Sequence, residues 1–119
     1  MSAGGIIAAA LFYALIGLAA LLRPARLLED FDILAETPDS QNENRAVYGG
    51  FPLTVAGLLA FCLTGTPLAG GILFALALAS AGMAAGRLVS ALIDRRLGRY
   101  PAIFAVLELI VAGLIAGGI

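Results

Sequence analysis

The sequence has no histidine, no lysine and a single cysteine, Cys62. A lone thiol closes no intramolecular disulfide and offers no dithiol pair for redox exchange. Without imidazole and with one sulfur, a tetrahedral N/S zinc site is excluded. Cys62 therefore reads as a small apolar residue within a helix. Charge is scarce too. Only 13% of the 119 residues are charged and the net charge is −1, so no basic field suggests nucleic acid. The residues form no nucleophile–base set, phosphate loop or metal cluster, and no cofactor is expected.

What remains is apolar. The chain is 61% hydrophobic with a mean hydropathy of +1.03. A soluble domain of this length could not bury so much apolar surface, so the composition points to lipid. The weight of Leu, Ala, Gly and Arg suggests a GC-rich bacterial genome. Four runs nearly free of charge stand out: Ala3 to Leu22, Ala46 to Gly65, Leu68 to about Val89, and Pro101 to Ile119. Each is about long enough to cross a bilayer core as a helix. In lipid every backbone polar group needs an internal partner, so these runs must be helical. The expected fold is all-α, a four-helix transmembrane bundle forming one domain over residues 1–119. The first run lacks a basic leader and is long for a signal peptide, so it reads as a retained span.

The connections differ. Residues 23–45 form a long polar loop, Gly65-Thr66-Pro67 a tight turn, and residues 90–100 a short basic loop. Arg23, Arg26, Arg45, Arg95, Arg96 and Arg99 then share one side of the membrane, with Arg87 near it. The positive-inside rule places that side in the cytoplasm and both termini outside. This is the pattern of a multi-pass protein of a bacterial inner membrane. In the long loop, Leu27, Leu28, Phe31 and Leu34 share a helical face and suit either a short interfacial helix or a loop with a few buried leucines. Thr37-Pro38 reads as a helix start, and Ser40 with Glu43 fits a capping box, so the second span begins in water. Gly82 and Gly86, with Ala75, Ala79 and Ser90, make one small-residue stripe; Gly113 and Gly117 make another. Such stripes pack helices within a bundle or between copies.

Two charges lie inside the runs, Arg87 and Glu108. They are equally far from the loop centre near Leu97 and Gly98, so they should meet at one depth on antiparallel helices. The stretch NENRAVYGGFP, residues 42–52, enters the membrane on the same side. Asn44 and Tyr48 are four apart and share a face. Gly49 and Gly50 allow a neighbouring helix to approach. Pro52 has no N–H, so the Tyr48 carbonyl needs another partner, for which Arg45 or Arg87 would serve. Tyr13 and Thr54 lie at comparable depths. These groups form either a structural pair that fixes helix register, a site for a ligand, ion or proton, or a catalytic centre.

The segments LLRPARLLEDFDI, NENRAVYGG, GRLVSALIDRRLGRYP and LELIVAGL resemble the bacterial domain-of-unknown-function family 4345, small proteins with four membrane spans. The resemblance covers nearly the whole chain, rests on Asn42, Arg45, Ala46, Tyr48, Gly49, Gly50, Gly86, Arg87 and Glu108, and implies a four-span fold without an assigned activity. The Arg-Ala that opens span two and the late Gly-Arg of span three also resemble membrane-bound glutathione-handling enzymes of the eicosanoid and leukotriene type. Those enzymes carry an Asn and a Glu further along span two, where this chain has Gly, Pro and Leu. Small multidrug exporters share the size, but their essential glutamate lies in the first span, and this first span has none.

Three functions follow as expectations. The first is a non-enzymatic interaction protein in the lipid bilayer, a homo-oligomer or an accessory subunit of a larger membrane complex. The second is a carrier or binding protein for a small ion or lipid-like molecule, which requires a cavity reaching Arg87 and Glu108. The third is a glutathione-type enzyme, which requires a trimer and a thiol site between subunits.

Overall fold

A computed structural model describes residues 3–22 and 37–119. The interfacial helix expected around Leu27 to Leu34, and Arg23 and Arg26, lie outside them. The described residues are all-helical: α1 (Ala3–Leu22), α2 (Pro38–Asn44), a π-helical stretch (Arg45–Gly50), α3 (Phe51–Cys62), α4 (Ala69–Asp94) and α5 (Arg99–Ala116). The run α2–π–α3 is one continuous span, Pro38–Cys62, so four helices are long and apolar enough to cross a membrane. Large apolar side chains are exposed on every one of them, as lipid-facing surfaces require.

Local chemistry sets the ends. Thr37 caps α2 with Pro38 in the first turn, as its sequence suggests. The capping box, however, is Thr37 with Ser40, not Ser40 with Glu43. The Ser40 N–H donates to Thr37 Oγ1, and the Thr37 N–H donates to Ser40 Oγ. With Thr37 extended and Pro38 inside, Ser40 already stands at the third helical position and cannot be the cap. Gly65, at φ +81°, supplies the left-handed residue of the tight turn. The basic loop is shorter than residues 90–100. Helix α4 continues through Asp94, because nothing between Ser90 and Asp94 breaks it, and only residues 95–98 connect to α5.

Four close approaches fix the register. Gly17 of α1 meets Gly49 and Leu53: a Cβ on Gly17 would lie 2.9 Å from the Gly49 carbonyl oxygen. Tyr13 of α1 hydrogen-bonds Ser80 of α4. Arg87 of α4 meets Glu108 of α5. At the far end, a Cβ on Gly118 would lie 2.8 Å from Ile6. Gly49 thus admits a neighbour as its sequence context suggests, but Gly50, one position round, faces outward and none comes near. Gly82, Gly86 and Gly113 also face away from the bundle, with no atom near enough to touch an added Cβ.

The core lies toward the tight turn. Ile6, Ala9, Val55, Leu59, Cys62, Leu73, Val111 and Ile115 cluster there, and the Cys62 thiol points at the Ala69 carbonyl. The first span packs along the second, and the third along the fourth. The second and third spans touch much less, and the π stretch makes at most marginal contact with the third or fourth. The bundle is accordingly flattened, 43 × 32 × 18 Å. Spans two and three are pinned at the turn and part toward the charged loops.

Candidate functional site

The gap between the parted spans is the site. Helix α4 buries Leu73, Ser80 and Ala84, and Arg87 continues this stripe at helical spacing. Arg87 is held on Glu108 of α5 in a side-on fork. Its Nε donates to Glu108 Oε2 at 2.9 Å and its Nη2 to Oε1 at 2.8 Å. The Glu108 side chain is 2% exposed and that of Arg87 is 22%. A carboxylate this deep is tolerated only with such a partner. The Arg87 guanidinium also lies over the Phe104 ring, 5.6 Å from its centroid. Phe104 precedes Glu108 by one helical turn and so shares its face.

Opposite this pair stands the π stretch. The Phe51 N–H bonds the Ala46 carbonyl, five residues back rather than four. A proline in a helix clashes with the carbonyl four residues before it. Opening the turn just ahead of Pro52 gives the ring room. This is how the break expected at Tyr48 to Pro52 is realised, and widened turns of this kind recur at functional sites.

Between the two walls lies a cavity of about 280 Å³, lined by Phe12, Tyr13, Ile16, Val47, Tyr48, Phe51, Pro52, Met83, Arg87, Phe104 and Glu108. Arg87 and Glu108 are the only charged residues among these. Phe51, Val47 and Met83 are 58%, 53% and 43% exposed, so the mouth opens sideways between spans two and three.

Of the residues singled out from sequence, Tyr13, Tyr48, Pro52, Arg87 and Glu108 come together here. Three do not. Arg45 is exposed at the start of the π stretch. Asn44 is half-buried but off the cavity wall. Thr54 faces outward, away from buried Pro52, Val55 and Ala56, and donates to the Gly50 carbonyl at 3.0 Å. Arg87, one of the two partners expected for the Tyr48 carbonyl, directs its Nε and Nη2 donors to Glu108. The sequence reading missed Ser80 and the aromatic wall. Ser80 stands seven residues before Arg87, and Met83 and Phe104 stand four before Arg87 and Glu108. That helical spacing is the signal that would have found them.

No curated protein and no solved structure matches the chain. A family model does: it spans residues 3–117, and the chain therefore belongs to the family described as domain of unknown function DUF4345.

Proposed function

We propose that this protein binds a lipid-like molecule inside the membrane, with the cavity at Arg87 and Glu108 as the binding site. The cavity is the observation that carries the reading. Its walls are aromatic and aliphatic, its base holds one neutralised ion pair, and its mouth faces sideways, where a ligand arrives from lipid. Apolar pockets with a few placed polar groups are the usual form of a small-molecule site. An apolar cavity of about 150 Å³ holds benzene. The 280 Å³ here then takes a chain of roughly ten carbons by proportion. The reading is of binding rather than catalysis. With the arginine-bearing loops in the cytoplasm of a bacterial cell and the termini outside, the site opens into the inner leaflet of the inner membrane.

Native mass spectrometry after gentle extraction tests this. The expected result is a reproducible small mass on the wild-type chain that Val47→Trp, which fills the mouth, removes without lowering folded yield. A wild-type chain with no bound mass, whose melting temperature no long-chain amphiphile shifts, overturns the reading.

A second reading has its own support. Ala75, Ala79, Gly82 and Gly86 form an exposed stripe on α4, opposite the buried Leu73–Ser80–Ala84 face, and no described residue covers it. Such a stripe suits a helix of a second copy or of a larger membrane complex.

A further inference from the structure

We infer that the ligand is a single-chain amphiphile with an oxyanion head, its tail in the apolar cavity and its head on Arg87 and Arg96. The inference rests on the binding reading above and adds the chemistry of the head group.

A second hollow, of about 390 Å³, lies on the loop side of Arg87 against Ser90, Arg96, Gly98 and Pro101. Met83 and Arg87 line both hollows, so the two adjoin. The first is apolar; the second offers a hydroxyl and a guanidinium. Arg87 stands at their junction with part of its hydrogen-bonding capacity unused. Glu108 takes the Nε and Nη2 edge of the guanidinium. Nη1 bonds no described residue, and the planar fork turns it away from the carboxylate.

The Arg87–Glu108 pair is neutral as a whole, so attraction for an anion needs a further cation. Arg96 supplies it. Arg95 adopts the left-handed conformation at φ 50°, which costs a residue with a Cβ some strain. The turn is closed by the Arg96 N–H on the Ala91 carbonyl at 3.1 Å. The reversal brings Arg96 back over the end of α4 and onto the hollow's wall. Arg96 makes no ion pair with any described residue. An apolar cavity adjoining a hollow whose Arg96 guanidinium and Arg87 Nη1 edge have no partner among the described residues matches an apolar tail joined to an anionic head. Charge-assisted bonds to arginine favour such a head over a hydroxyl. A carboxylate and a phosphate share this chemistry.

The test uses the full chain in phosphatidylcholine nanodiscs, with dodecanoate, dodecyl phosphate and dodecanol as probes and empty nanodiscs as the blank. Both anions should bind about tenfold tighter than the alcohol. Arg96→Gln should reduce that preference to about threefold or less, and Arg96→Lys should keep most of it, which separates charge from fold. The stronger of the two anions identifies the head as carboxylate or phosphate. Equal binding of all three probes overturns the oxyanion inference and leaves the apolar cavity standing. Binding of none overturns both.

Discussion

The two ends of this bundle are built from the same four helices and to opposite ends. At the tight-turn end, spans two and three are tied by the short connection of residues 63–68, and the core is small and aliphatic: Ile6, Ala9, Leu59, Leu73, Ile115. At the charged-loop end the same two spans part, and the space holds aromatic rings, a buried ion pair and a cavity. Helix association in lipid lacks the hydrophobic drive that closes gaps in water and depends on close packing and polar contacts. The tight-turn end uses packing. The loop end is held at its base by Arg87–Glu108 and braced by Gly17 against Gly49. A gap between helices is stable there because lipid or ligand can fill it.

The loop end is therefore where one substitution does most damage. Glu108→Gln leaves the Arg87 guanidinium unpaired against an apolar wall. Removing one partner of a buried pair costs about 3–5 kcal/mol, enough to collapse folded yield. The charge swap Arg87→Glu with Glu108→Arg should recover part of that yield. Thermal melting in detergent, read beside yield, checks both. Full stability in Glu108→Gln would mean that the pair holds nothing together and that the gap is braced elsewhere.

Gly17→Ala comes next. Its new Cβ would meet the Gly49 carbonyl oxygen at 2.9 Å and the Leu53 nitrogen at 3.1 Å, both backbone atoms that cannot swing aside. The helices must separate, at about 1–3 kcal/mol. Gly49→Ala should be milder, since its Cβ would meet a side chain, the Cγ and Cδ2 of Leu21 at 2.8 Å, with the nearest backbone atom at 3.5 Å. Gly82→Ala, with nothing near it, should leave the melting temperature unchanged. Glycines that brace the splayed end thus separate from those that face lipid.

The fold was largely legible in the sequence. Spans of fixed minimum length and the symmetric placement of Arg87 and Glu108 about one loop determine four helices and the ion pair between those two residues. The limits of legibility are physical. Gly82-x-x-x-Gly86 is a packing signal by pattern, yet which helix face meets a neighbour depends on how all four helices rotate. Gly17, which has no glycine partner at helical spacing in its own span, makes the close contact. The cavity was illegible for a related reason. Phe12, Phe51 and Phe104 are ordinary apolar residues in three separate spans, and only the splay of spans two and three turns them into one wall. Pro52 signalled a break; that the break would take the form of a wide turn is a property of the packed helix.

A small loss of stability is expected where the two ends meet. Tyr13 of α1 and Ser80 of α4 are buried and hydrogen-bonded to each other. Tyr13 also lines the cavity. Interhelical bonds of this kind in membranes average about 0.6 kcal/mol, so Ser80→Ala should lower the melting temperature only slightly. Its larger consequence should be on binding. Without Ser80 the Tyr13 hydroxyl has lost its partner at the floor of an apolar cavity, and the ring is free to turn toward the ligand space. Ser80→Ala should therefore weaken retention of the bound mass in native spectra more than it weakens the fold. If melting and retention fall together, the hydrogen bond belongs to the packed end and the cavity begins above it.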